Sequence, residues 1–307
     1  MDVFAEDVEG GANSVPVESG RHAQRLVQGL AGDVPVGHFA HQGFRDEWEG
    51  VSNYSIQNPH KAYTSGAMKK LLALVCLVGL FSTQAVSDVP ANTNSEFIFA
   101  RVQFNMAMRP GMFIYREAPW HHDYPNSEDL FLTMLKEATG IHTDTESYKI
   151  VQLDSQEIFR YPFLYFSEPG YMDLTDKELT NLREYFNRGG FAMFDDFRGR
   201  ALQNLQYQMK RVFPERDMFK LDLGNPVWKT FYDIDSLEMP PPYMNNDSGT
   251  PTFWGMKDDK GHLMLVANAD NDFGEFWEWV DRGEMPFRPA AQSVRFGINY
   301  LVYAMTH

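Results

Sequence analysis

The apolar and polar positions of this 307-residue chain fall into three regimes. Met1 to Ala67 carries no sustained period of either kind and is rich in Gly, Ser, Val, Asp and Glu, the pattern of a segment that buries too little to fold. Met68 to Asp88 holds an unbroken apolar or small-residue run, Leu71 to Phe81. From Phe97 onward, strand-like and helix-like patterns alternate. Phe97–Phe104 (FIFARVQF), Tyr148–Leu153, Pro162–Phe166, Phe191–Phe194 and His262–Ala267 read as strands. Ser127–Thr139 reads as a helix, with Phe131, Met134, Leu135 and Ala138 on one face and Gly140 as its stop. The next helix opens on a capping box, Thr175-x-x-Glu178, with Leu174 and Leu179 placed as a hydrophobic staple. Leu179, Leu182 and Phe186 form its apolar stripe, and Arg188-Gly189-Gly190 ends it. Ala201–Phe213, closed by Pro214, and Ala290–Ala304 read as further helices, and Asn225-Pro226 as a helical start. Asp233–Asp259, rich in Pro, Asn, Asp and Gly, reads as a long surface excursion. Strands alternating with helices predict an α/β protein: a parallel sheet with helices on both faces.

The middle regime changes the domain picture. Lys69-Lys70, the apolar run and the small-x-small ending Ala85-Val86-Ser87 form the three parts of a secretory signal, and the run is too short to span a bilayer. We therefore expect translation from Met68, residues 1–67 as a mis-called or disordered extension, a signal peptide over 68–87, a linker over 88–96 and one domain over 97–307. The expected location is exported, periplasmic or secreted. The single cysteine, Cys76, lies in the apolar run, so the processed chain offers neither disulfide nor thiol nucleophile. Of the chain's 27 Lys+Arg and 42 Asp+Glu, 6 and 9 precede Asp88, leaving 21 against 33 and a net charge of −12. That balance argues against nucleic acid and anionic lipid as partners. No later apolar run is long enough for a membrane span.

In an open parallel sheet, ligands bind beyond the carboxyl ends of the strands. Ser167 and Glu168 follow one strand, Asp195, Asp196 and Arg198 the next, and Asn268, Asp270, Asn271, Asp272 and Glu275 another. Close carboxylates need a cation, an arginine or a shared proton, and Arg101 and Arg198 are the available arginines. Asp195-Asp196 reads functionally as a metal ligand or acid/base pair; structurally, one Asp caps the following helix and the other meets an arginine. Asp270-x-Asp272 with Glu275 has some character of a calcium or magnesium site without its full spacing, so no cofactor is assigned beyond that possibility. His121-His122-Asp123 lacks the helical spacing of a zinc motif and reads as surface or packing. Trp120, Trp254, Trp277 and Trp279 offer aromatic faces for sugar, or core. No nucleophile elbow, Walker loop or dinucleotide fingerprint is present.

Several stretches are familiar. They are Phe99-Ala100-Arg101, Trp120-x-x-Asp123-Tyr124-Pro125-x-x-Glu128, Tyr161-Pro162-Phe163-Leu164-Tyr165, Leu174-Thr175-x-x-Glu178, Leu182-Arg183-x-Tyr185, Gly189-Gly190-Phe191 leading to Asp195-Asp196-Phe197, Val212-Phe213-Pro214, Phe231-Tyr232 and Gly297 to Ala304. In order and spacing they resemble the bacterial domain-of-unknown-function family four-one-five-nine. That family looks like a branch of the class I glutamine amidotransferase-like fold, akin to trehalose-utilisation-type proteins. The resemblance implies a flavodoxin-like sandwich and no established activity. The fold's cysteine-dependent chemistry does not carry over to a cysteine-free mature chain. Asn225 stands where the resemblance leads one to expect His before Pro226.

The resulting expectation is an envelope protein that binds a small molecule, carbohydrate preferred, in a crevice formed by Arg101, Trp120, Asp123, Tyr124, Asp195, Asp196, Arg198, Asn268, Asp270 and Asp272. One rival is a hydrolase using two of the carboxylates, with or without a divalent cation; another is a structural partner in an envelope complex. A binding module should show the acids paired with Arg101 and Arg198, whereas an enzyme should turn two carboxylates toward one cavity.

Overall fold

Among the described residues, seven strands form one sheet in the order β2-β1-β3-β4-β7-β6-β5. The computed structural model describes residues 96–107, 117–143, 146–242 and 249–307. The segment read as an export signal, residues 1–67 and almost all of the expected linker lie outside these. The strands are β1 (Phe99–Gln103), β2 (Tyr148–Gln152), β3 (Phe163–Ser167), β4 (Phe191–Phe197), β5 (Phe219–Lys220), β6 (Thr252–Lys257) and β7 (Leu263–Ala269). The helices are α1 (Asn126–Thr139), α2 (Asp176–Asn187), α3 (Ala201–Val212), α4 (Phe273–Glu278) and α5 (Phe287–Thr306). From β2 to β7 all pairs are parallel, in the flavodoxin-like arrangement, and β6 and β5 add an antiparallel edge.

The alternation of side chains along each central strand explains the two-faced core. Phe99, Phe163, Tyr165, Phe191, Met193 and Val266 point to one face, under α1, α4 and α5 through Phe131, Trp277 and Ile298. Ala100, Val102, Leu164, Phe166, Ala192, Phe194 and Leu265 point to the other, under α2 and α3 through Leu182, Phe186, Leu205 and Met209. Strands covered on both faces read as apolar runs, which is why β3 and β4 were legible.

The local signals formed what they encode. Thr175 Oγ1 accepts the Glu178 N–H and the Glu178 carboxylate accepts the Thr175 N–H, closing the capping box of α2. Gly140 ends α1 at φ 74°, in the left-handed region. Asn225 accepts the Val227 N–H and starts a 3-10 turn, Pro226–Lys229; its observed contact is a cap.

Two readings need correction. The stretch Asp233–Asp259 is not all excursion: it buries Ile234, Met239, Phe253 and Met256 and contributes β6. Its Pro- and Asn-rich flanks masked the alternating TFWGMK. The sheet is parallel over β2-β1-β3-β4-β7, as expected, and β6 and β5 make it mixed at one edge. Residues Phe273–Glu278 fold as a short helix, α4, which was not anticipated.

Candidate functional site

Parallel strands end at the same edge, so Glu168 after β3, Arg198 after β4 and Asp270 after β7 emerge together. β4 runs on through Asp195-Asp196, so these residues stand within the strand rather than beyond it. Neither caps α3, whose start has no side-chain cap. Asp195 is instead fully buried and caps a different helix. Its Oδ2 accepts the Phe273 and Gly274 N–H groups at 2.8 and 3.0 Å and the Tyr165 hydroxyl at 3.1 Å; its Oδ1 accepts from Asn268 Nδ2 at 2.9 Å. Burial and the nearby Asp272 push its carboxyl up to about 7 against these donors.

Arg101 sets the near wall. This β1 residue has no exposed surface, and its Nε is paired with Glu128 of α1. Nη1 donates to the carbonyls of Trp120 and His122 at 3.1 and 2.7 Å, and Nη2 to Ser127 Oγ at 3.1 Å. The guanidinium lies over the Tyr165 ring at 4.7 Å and the Tyr124 ring at 5.8 Å. Arg101 therefore holds down the loop before α1, where the sequence suggested a counter-ion for the strand-end acids. Trp120 serves this anchorage through its carbonyl, and its ring packs on the far core.

The anchored loop delivers His122 and Asp123 to Asp196 and Asp272. One ligand-type atom from each of the four lies within 4.8 Å of the others. His122 Nδ1 is 3.0 Å from Asp196 Oδ2 and 3.2 Å from Asp123 Oδ1. The hydrogen bond to Asp196 is the main cause that lifts the imidazole to about 10. Burial first, then Asp272, pushes the Asp123 carboxyl up to about 10, and the same two causes raise Asp196 well above its ordinary range. Arg198 Nη2 stands 3.7 Å from both Asp196 Oδ1 and Asp272 Oδ2. Asp272 Oδ1 accepts the Glu275 N–H at 2.9 Å and so caps α4. The backbone at Asp123, Glu168, Asp196 and Asp270 is left-handed, with φ of 66°, 48°, 54° and 60°. Side chains other than Gly adopt that region at a cost, and such residues concentrate at functional sites.

Above this group opens a cleft of about 390 Å³ lined by Glu168, Gly170, Tyr171, Asp196, Phe197, Arg198, Arg200 and Ala201. Burial pushes the Glu168 carboxyl up to about 7.

A family model for a domain of unknown function, DUF4159, matches residues 99–305. The chain belongs to that family. No curated protein matches it. Within this DUF4159 domain, the geometry sorts the expected residues. Asp123, Asp195, Asp196, Arg198, Asn268 and Asp272 come together; Arg101, Trp120 and Tyr124 support them. Asp270 turns away: its Oδ1 accepts the Gly199 and Gly249 N–H groups at 2.9 and 3.0 Å, tying two loops. Phe276 and Trp277 are core, with Trp277 4.4 Å from the Phe131 ring, so they offer no sugar platform. His122 and Tyr171 are the additions. His121 and His122 diverge as a surface reading expects, His121 toward Glu117, but His122 finds Asp196, 74 residues away. Among the described residues no helix is long and apolar enough to cross a membrane.

Proposed function

We propose that this DUF4159 protein is exported to the cell envelope and binds a polar small molecule of the carbohydrate class in the cleft beyond β3 and β4. The observation that carries the reading is the lining. Tyr171 brings an aromatic residue to the lining, and Glu168, Asp196, Arg198 and Arg200 bring groups able to accept from and donate to hydroxyls. The Met68–Ser87 leader pattern supports export. Titration calorimetry with neutral and uronic-acid oligosaccharides tests the reading: binding should be lost in Tyr171→Ala and Arg198→Ala variants. Silence across the panel, with the wild type folded, sinks it.

The hydrolase reading has one specific support. Glu168 and Asp196 both line the open cleft. Glu168→Gln should then abolish turnover while leaving binding intact, the signature of a proton-transferring group.

A further inference from the structure

We propose that His122, Asp123, Asp196 and Asp272 hold one divalent ion of the manganese or zinc class beneath the cleft. Each residue brings one donor atom within 4.8 Å of the others, from three separate parts of the chain: the loop before α1, the end of β4 and the cap of α4. The spacing suits one ion. Neighbouring ligands at ~2.1 Å from a metal lie ~3.0 Å apart in an octahedral site and ~3.4 Å apart in a tetrahedral one. His122 Nδ1 stands 3.0 Å from Asp196 Oδ2 and 3.2 Å from Asp123 Oδ1.

A second observation points the same way. The Asp123 side chain is 2% exposed, yet its Oδ2 accepts no hydrogen bond. Buried carboxylate oxygens are otherwise served by donors, a proton or a cation. Gly274 leaves this oxygen its space, since a Cβ there would lie 2.7 Å from it. The surrounding contacts orient the donors as outer partners do in metal sites. Arg101 holds the His122 carbonyl, and Asp272 is fixed by the Glu275 N–H on Oδ1 and by Arg198, 3.7 Å from Oδ2.

The donor set selects the class of ion. One imidazole with three carboxylates mixes nitrogen and oxygen, which suits manganese, iron or zinc; calcium prefers six to eight oxygen donors. The Asp270-x-Asp272 pairing suggested by the sequence does not supply the ligands, because Asp270 is committed to Gly199 and Gly249. The His122 side chain is 48% exposed, which leaves a side of the group open toward solvent.

The inference deepens the cleft reading by adding a charged floor to it. Its test needs no organic ligand, so failure of one is distinguishable from failure of the other. The full chain is stripped with chelator and titrated with MnCl2 and ZnCl2 by calorimetry, with free manganese followed by electron paramagnetic resonance. The expected result is one equivalent bound per chain and a raised melting temperature. His122→Ala and Asp272→Asn should each weaken binding by about tenfold or more. Asp272→Asn keeps a competent helix cap and relieves carboxylate crowding. Its metal-free melting temperature should therefore equal or exceed the wild type's while the metal-induced rise shrinks, which a merely structural role would not produce. Half-exposed His122 supplies a variant that folds regardless. No stoichiometric binding of either ion to the folded wild type, or undiminished binding in both variants, overturns the proposal.

Discussion

Asp195 Oδ2 accepts the Gly274 backbone N–H at 3.0 Å, joining the C-terminal part of β4 to the first turn of α4 across 79 residues of sequence. With the Phe273 N–H, Tyr165 hydroxyl and Asn268 amide, it makes one buried carboxylate the hub of four donors. Asp195→Ala leaves all four without their acceptor. An orphaned buried donor costs ~1–3 kcal/mol, so with four of them we expect a loss of at least about 4 kcal/mol in urea denaturation. A loss below about 1 kcal/mol would show that the hub does not hold α4 in place.

Gly274 is tightly constrained in the same turn. A Cβ would meet Asp123 Oδ2 at 2.7 Å and the Tyr165 hydroxyl at 3.0 Å. Gly274→Ala should destabilise by about 1–3 kcal/mol, the usual cost of overpacking, and weaken manganese binding by displacing Asp123. Unchanged manganese affinity would mean that Asp123 can move without consequence.

The buried Arg101–Glu128 pair anchors the loop that carries His122 and Asp123. Removing one partner of a buried pair typically costs ~3–5 kcal/mol. Glu128→Ala should reach that range in thermal or chemical denaturation and should also weaken metal binding, although Glu128 is not among the proposed ligands. Full affinity in a destabilised but folded variant would separate the clamp from the site.

Glu168 should leave a pH signature in the metal-free protein. Burial pushes its carboxyl from 4.5 up to about 7; Asp272 adds to the rise, while His122 and Arg198 oppose it. Because the folded value is the higher one, the folded chain binds the extra proton between those limits. Stability therefore falls as pH rises from about 4.5 to 7, and the penalty is complete above that. Glu168→Gln should be more stable than the wild type at about pH 8, with the gap closing near pH 4. Denaturation curves with chelator present check this, and an equal gap at both ends would contradict it.

How much of this was legible depends on how local each signal is. The α2 capping box lies within four residues, and the apolar runs of β3 and β4 report burial directly. The carboxylates at the strand ends followed from the alternation of elements. Glu128 was visible only as part of a motif, because its partner Arg101 lies 27 residues away. His122 looked like one of two neighbouring histidines, since its partner Asp196 sits on another strand. The α4 signal was present but misread. Asp272 and Glu275 form a helix start, and their charges suggested ion ligands in the loop itself. Asp272 caps with one oxygen, and its other oxygen lies 3.7 Å from Arg198. Aspartate tolerates the left-handed region better than most residues, so Asp123, Asp196 and Asp270 carry a weak local signal for their turns and Glu168 carries none.

The most direct test of convergence is anomalous X-ray diffraction from crystals of the full chain grown with manganese. The expected result is a single anomalous peak bonded to His122, Asp123, Asp196 and Asp272 beneath the Glu168 and Arg198 cleft. Well-ordered density with these four side chains apart and no peak between them would contradict the site.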